Sequence, residues 1–147
     1  PYTPAVTLFY ALQAALQMIR EETIQGAWER HRLMGDMCRA GVRAMGLELL
    51  AKEEGRASNS VTAVLSPLDP KVLRKTAREQ LGVQLAGGQG SLEKSIFRIG
   101  HLGYVTPNDV LQALAATETA LAVHGQIDQV GAAAAAAQKV WVNKLRG

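Results

Sequence analysis

The residues best suited to chemistry lie between positions 87 and 103, where a glycine-rich loop precedes an apolar segment that carries one arginine. The loop runs from Gly87 to Gly90 as Gly-Gly-Gln-Gly, and Arg98 stands between Phe97 and Ile99. Glycines at a strand exit tolerate positive φ and let a ligand approach the backbone closely. The planar donors of a guanidinium match both oxygens of a carboxylate, each charge-assisted bond contributing about 1.5–3 kcal/mol. Arg98 is therefore a candidate carboxylate ligand, although strand alternation equally allows a solvent-facing arginine.

Several other site types are excluded by what the chain lacks. The glycine loop is not followed by Gly-Lys-Ser or Gly-Lys-Thr, so it is not a P-loop, and its spacing is not that of a dinucleotide fingerprint. Cys38 is the only cysteine, which excludes an internal disulfide and a cysteine-based zinc cluster. The three histidines, His31, His101 and His124, are too far apart in sequence to show ligand spacing. No metal site is expected.

Composition points to an ordinary globular domain. Of the 147 residues, 48% are hydrophobic and 20% charged, and the formal net charge is only +3. Basic residues are scattered among acidic ones and no aromatic lies inside a basic run, so we expect no nucleic-acid partner. No apolar run reaches about 18 residues and no signal pattern opens the chain, so we expect no membrane span and a reducing, cytoplasmic location. Because the chain starts at Pro1 without methionine, we also expect processing or truncation.

The apolar spacing predicts the elements that must position these residues. The order is two helices, two strands, a helix, two strands, a helix and an alanine-rich helix from Ile127. This succession favours an α+β fold, a small and mainly antiparallel sheet with helices packed on one face. The predicted helices run from Thr3-Pro4 to about Glu22, from about Thr23 to Met45, from Asp69-Pro70 to Gly82, and onward from Thr106-Pro107; the predicted strands are 47–50, 61–65, 83–85 and 95–99.

Three segments together resemble a known family. They are the Gly-Gly-Gln-Gly loop with Phe-Arg-Ile-Gly-His-Leu-Gly at 97–103, the opening Pro-Tyr-Thr-Pro-Ala-Val at 1–6, and Met-Gly-Leu-Glu-Leu at 45–49. Their order is similar to that of the C-terminal small domain of class V pyridoxal-phosphate aminotransferases, in the alanine–glyoxylate and serine–pyruvate branch. The resemblance spans about residues 1–124 and leaves the alanine-rich tail outside. It implies the small domain of PLP-transferase fold type I: a linking helix at 1–22, the domain itself at 23–125 and a helical tail at 126–147.

The resemblance also implies roles for particular residues. Arg98 matches the arginine that holds the substrate α-carboxylate, and Gly88 and Gly90 match the loop beside the substrate. Thr3 matches a threonine that touches the cofactor phosphate across a homodimer interface, although it is also a plausible helix N-cap. For His101 the family suggests no catalytic role, so we expect a structural histidine.

The cofactor implied is pyridoxal 5'-phosphate, which this family holds through a Schiff-base lysine and an aspartate. None of the lysines matches the family's lysine motif, so no catalytic residue is expected in this chain and the fragment alone should be inactive. The parent enzyme would move an amino group from alanine or serine to a 2-oxo acid such as glyoxylate or pyruvate. The lysines concerned are Lys52, Lys71, Lys75, Lys94, Lys139 and Lys144.

Other functions stay open at this point. Class V also contains lyases and desulfurases, but Cys38 falls mid-helix rather than on a loop, which disfavours a desulfurase. Some cyanobacterial relatives carry the label of a soluble hydrogenase subunit, yet hydrogen chemistry needs several metal-ligating cysteines. A non-enzymatic α+β interaction module is the remaining alternative. In a fragment, the first helix would lose its neighbours, so Leu8, Phe9 and Leu12 should be exposed or paired.

Overall fold

The computed structural model describes residues 3–147, except for the side chain of Glu54. Two compact units are present, Pro1–Arg30 and His31–Gly147. Residues 3–147 form five helices and three strands in the order α1 (Val6–Glu22), α2 (Ile24–Ala44), β1 (Val61–Leu65), α3 (Pro70–Leu81), β2 (Ala86–Gly87), β3 (Ile96–Gly100), α4 (Pro107–Val123) and α5 (Ala132–Arg146). Short 3-10 turns occur at Glu54–Arg56 and Gly90–Leu92.

The first unit is dominated by α1, none of whose residues is buried. Leu8, Phe9 and Leu12 are exposed, as predicted. The predicted start at Thr3-Pro4 is wrong, because Ala5 is the N-cap and makes no side-chain capping bond. Thr3 precedes the helix with an exposed side chain, and Pro1 and Tyr2 of the family-like opening lie outside the described residues.

The sheet has the order β1-β3-β2 with antiparallel pairing throughout, which confirms the predicted α+β class. Two strand predictions are confirmed within one residue, 61–65 and 95–99. The other two are wrong. Residues 83–85 are not a strand, since pairing begins at Ala86, and residues 47–50 contribute one isolated bridge, from Leu49 to Val64. The chain bends at Leu50, so the pairing does not extend into a ladder.

Local capping explains why α3 and α4 begin where the sequence predicts. The Asp69 carboxylate accepts a hydrogen bond from the Lys71 backbone N–H at 2.8 Å, and Pro70 occupies the first turn. Thr106 and Asp109 form a reciprocal capping box at the start of α4. Gly82 ends α3 in the left-handed conformation, with φ 69°. These helices bring Leu73, Leu114 and Leu121 into the core.

The alanine-rich segment forms α5, and it packs within the second unit. Glu118 of α4 is buried and accepts hydrogen bonds from the N–H groups of Gly131 (2.8 Å) and Ala133 (3.0 Å), at the start of α5. A carboxylate is well placed there because the first N–H groups of a helix have no partner within the helix. Ala133 and Ala137 are buried in the core. The predicted ranges 1–22, 23–125 and 126–147 stay a prediction, although α5 shares the unit of residues 31–147.

Candidate functional site

Arg98 lies on the central strand of the sheet and on the face opposite the core. Its neighbours along β3, Phe97 and Ile99, are both buried, whereas Arg98 is half-buried. Directly opposed residues of antiparallel strands share a face, and the residues opposite Arg98 are Ala63 on β1 and Ala86 on β2. Both of these neighbours have only a methyl side chain, so no larger side chain stands directly opposite Arg98 on either strand.

The guanidinium of Arg98 is oriented by one backbone contact. Its Nε donates to the carbonyl oxygen of Gly87 at 2.7 Å. Among residues 3–147 no carboxylate forms an ion pair with Arg98, and neither Nη atom has a hydrogen-bond acceptor. The two Nη atoms can therefore donate together to the two oxygens of one carboxylate, whereas Nε already donates to Gly87.

The glycines of the loop are explained by backbone geometry. A Cβ on Gly88 would collide with the Leu92 carbonyl, and it would also lie 2.9 Å from Cγ1 of Ile96. The Gly88 N–H donates to the Ile96 carbonyl at 3.2 Å. Gly90 has φ +56° at the start of the 3-10 turn. Both glycines thus shape the loop that leads into β3, and their contact with a substrate stays a prediction.

His101 follows β3 and is part of the packed interior. Its Nδ1 lies 3.0 Å from the Asn59 carbonyl oxygen and its Nε2 lies 2.8 Å from Oγ1 of Thr62. A carbonyl can only accept, so Nδ1 carries the proton and donates, and Nε2 accepts from the threonine hydroxyl. Burial, chiefly, lowers the pKa of His101, because the charged form loses its hydration. The geometry agrees with the expected structural histidine.

Cys38 adjoins the same interior region and is unsuited to nucleophilic chemistry. It is buried on α2, and burial raises the pKa of its thiol to about 11. The thiolate, which is the reactive form, is therefore scarce near neutral pH. This agrees with the argument against a desulfurase.

Comparison with known proteins gives the family. No family model matches the chain. It is 39% identical over 142 residues to a protein named soluble hydrogenase, small subunit, from a Synechococcus strain, covering 95% of this chain and 37% of that protein. It is 37% identical over 139 residues to serine–glyoxylate aminotransferase of Arabidopsis thaliana, covering 93% and 35%. The solved structure of pyridoxamine–pyruvate aminotransferase from Mesorhizobium loti matches with a TM-score of 0.93 and 35% identity, covering 98% and 38%.

The chain belongs to the class V aminotransferases. It spans little more than a third of the length of the relatives it matches. The matches also correct the expected extent of the likeness. An alignment that covers 98% of 147 residues cannot end near residue 124, so the alanine-rich tail lies inside the family likeness.

The expected absence of the Schiff-base lysine from this chain stays a prediction. All six lysines have exposed side chains. The predicted phosphate contact, Thr3, lies in the first unit with an exposed side chain, and its role stays a prediction. The part of the chain that the structure describes contains no cluster of three potential metal ligands. It also contains no helix with the length and apolar character needed to cross a membrane.

Sequence interpretation found Arg98 but missed the residues that define its surroundings. Ala63 and Ala86 are two unremarkable alanines in sequence, and only the strand register places them on either side of the arginine. In sequence Gly87 is one glycine of the loop, whereas in the structure its carbonyl is the acceptor that orients the guanidinium. No sequence signal identifies the alanines, because register depends on which strands pair.

Proposed function

We propose that this chain supplies the substrate-carboxylate site of a pyridoxal-phosphate-dependent transaminase. The complete enzyme would move an amino group from a small amino acid, alanine or serine, to a 2-oxo acid, glyoxylate or pyruvate. It would act as a homodimer, with Thr3 contacting the cofactor phosphate of the partner subunit. Residues outside 1–147 would supply the Schiff-base lysine, so the chain alone would not transaminate. A cytoplasmic location stays a prediction.

The proposal rests on the hydrogen bonding of the Arg98 guanidinium and on the residues beside it. Its Nε is engaged by Gly87, its two Nη atoms have no acceptor within residues 3–147, and its cross-strand neighbours are alanines. Amino acids and 2-oxo acids share a carboxylate next to the reacting carbon, and a bidentate guanidinium holds such a group in one orientation. The named relatives include aminotransferases for glyoxylate and pyruvate, which supports substrates of this class.

Arg98 contributes by positioning. A carboxylate fixed by both Nη atoms can no longer rotate freely, and the carbon that carries the amino group is held in one place relative to the sheet. Such orientation lowers the entropic part of the barrier. Pyridoxal phosphate supplies the electron sink of transamination when bound, and none of its chemistry is assigned to the residues described.

Kinetics of the complete enzyme test the role of Arg98. Arg98→Ala removes both bonds to the carboxylate and should lower kcat/KM for the amino-acid substrate by at least about 10-fold, since the loss of even one charge-assisted bond costs about 1.5–3 kcal/mol. The absorbance of the bound cofactor should not change. Arg78→Ala is the matched control. It removes the same positive charge, but from an exposed arginine on α3 that pairs with Glu79. Equal activity of Arg98→Ala and Arg78→Ala would refute the carboxylate role.

A second test separates the enzyme from a non-enzymatic interaction module. In the gene, a serine-rich segment with a lysine some tens of codons before the codon for Pro1 would support the transaminase; a start codon directly before Pro1 would contradict it. The relative named as a hydrogenase subunit suggests no alternative chemistry for this chain. The present chain has a single cysteine, Cys38, which is buried, whereas iron–sulfur ligation requires several thiolates.

A further inference from the structure

Two arginines contact the short segment that forms β2, one on each face of the sheet. From the outer face, Arg98 Nε donates to the carbonyl of Gly87 at 2.7 Å. From the core side, Arg74 of α3 donates through its own Nε to the carbonyl of Leu85 at 3.1 Å. The two acceptors, Leu85 and Gly87, are two residues apart, with Ala86 of β2 between them.

The guanidinium of Arg74 occupies the place that a side chain on residue 87 would take. A Cβ on Gly87 would point to the core side, since Gly87 pairs with the buried Phe97. It would collide with Nη1 of Arg74 and lie 3.0 Å from its Cζ. The guanidinium of Arg74 therefore covers the backbone of Gly87 from the helix side, while the carbonyl of Gly87 binds Arg98.

Besides the contact from Arg74, the pairing with β3 and a hydrogen bond from the Gly88 N–H to the Ile96 carbonyl at 3.2 Å restrain β2. The strand consists of two residues, and its register with β3 comprises only the pairs Ala86–Arg98 and Gly87–Phe97. The Gly88 N–H bond holds the planar peptide unit that carries the Gly87 carbonyl, and Arg74 holds the chain two residues earlier, at the Leu85 carbonyl. On α3, Lys71 and Arg78 pair with Glu93 and Glu79, whereas Arg74 makes no ion pair within residues 3–147 and has the Leu85 carbonyl as its acceptor.

We propose that Arg74 is a positioning residue for Arg98. It fixes residues 85–87 from the core side, which keeps the Gly87 carbonyl in place to bind Nε of Arg98, and this leaves both Nη atoms directed away from β2 toward the substrate carboxylate. The proposal rests on the carboxylate role proposed for Arg98. Arg74 lies on the other side of the sheet, so it acts through β2 and does not touch the substrate.

A double-mutant cycle in the complete enzyme tests this coupling. Arg74→Met keeps most of the side-chain volume but removes the donor, and it should raise KM for the amino acid about 10-fold, an effect equal to about 1.4 kcal/mol. Cofactor absorbance and melting temperature should be unchanged. Arg74→Lys retains a donor and should recover part of the loss. Lys75→Met on the same helix is the control. Combined with Arg98→Ala, Arg74→Met should add nothing, because the group that it positions is gone.

The outcomes distinguish this proposal from the proposed function. Suppose that Arg98→Ala reduces activity, but that Arg74→Met leaves KM unchanged or has the same effect on KM with and without Arg98→Ala. The positioning role is then overturned and the carboxylate site stands. If Arg98→Ala itself leaves kcat/KM unchanged, the carboxylate role of Arg98 is refuted, and the positioning role of Arg74 is refuted with it. Should Arg74→Met destabilise the enzyme, Gly87→Ala is the second variant: its methyl group displaces the Arg74 guanidinium while keeping the carbonyl. An unchanged KM in Gly87→Ala would then overturn the proposal.

Discussion

The two faces of β3 differ sharply although they belong to the same five residues. On the core face, Phe97 and Ile99 are buried, and His101 continues the same side just beyond the strand. Both ring nitrogens of His101 have partners, Thr62 and the Asn59 carbonyl. On the outer face, Arg98 uses one of its three nitrogens within the described residues and has alanines on both sides.

The two faces differ in whether polar groups must have hydrogen-bond partners within the protein. A buried donor or acceptor without a partner costs about 1–3 kcal/mol, so polar groups on the core face must be paired within the protein. A half-buried guanidinium can leave donors to water at little cost, and those donors are then available to a ligand. The comparison predicts that substitutions of Phe97 and Ile99 on the core face change stability, whereas substitution of Arg98 on the outer face changes binding; Ile96, on the same face as Arg98, is itself buried.

The largest effect on stability should come from Phe97→Ala. Phe97 is fully buried between the sheet and the helices, and such a truncation costs about 3–5 kcal/mol because it removes apolar contacts and leaves a cavity. Urea unfolding followed by circular dichroism measures the change. A loss below about 1 kcal/mol would mean that the core face of β3 is not the packed side.

A smaller effect should follow protonation of His101. Its pKa in the folded state is lowered from 6.5 by burial, with Arg39 and His31 adding repulsion, so the unfolded chain takes up a proton at a higher pH than the folded chain. The unfolded state thus binds more protons, and the free energy of unfolding should fall as pH drops below about 6.5 toward the folded pKa. Urea midpoints between pH 8 and pH 5.5 measure the slope. A His101→Gln variant should show a flatter slope; an identical slope would contradict the assignment to His101.

The smallest effect on stability is expected for Arg98→Ala, one position from Phe97. It removes one hydrogen bond from a half-buried side chain, and the unfolding free energy should change by no more than about 1 kcal/mol. Urea unfolding of the two variants side by side is the measurement. If Arg98→Ala destabilised the protein as much as Phe97→Ala, Arg98 would be a structural arginine and the contrast between the faces would be lost.

Sequence patterns predicted those elements whose ends depend on local chemistry. Asp69 with Pro70, and Thr106 with Asp109, mark helix starts through bonds within three residues, so their positions need no tertiary information. The strand at 61–65 was equally clear from its β-branched content. By contrast, Thr3-Pro4 looked like a helix start, but the helix begins at Val6 without a side-chain cap.

The sequence by itself determined the α+β class, the ends of α3 and α4, the family and the candidacy of Arg98. Only the tertiary structure decided that 47–50 yields a single bridge, that β2 lies at 86–87, and that the tail helix is capped by Glu118. It also decided that the Gly87 carbonyl binds Nε of Arg98 and that Ala63 and Ala86 lie opposite Arg98. The reason is physical: caps form between near neighbours along the chain, whereas register and surroundings depend on which distant segments pair.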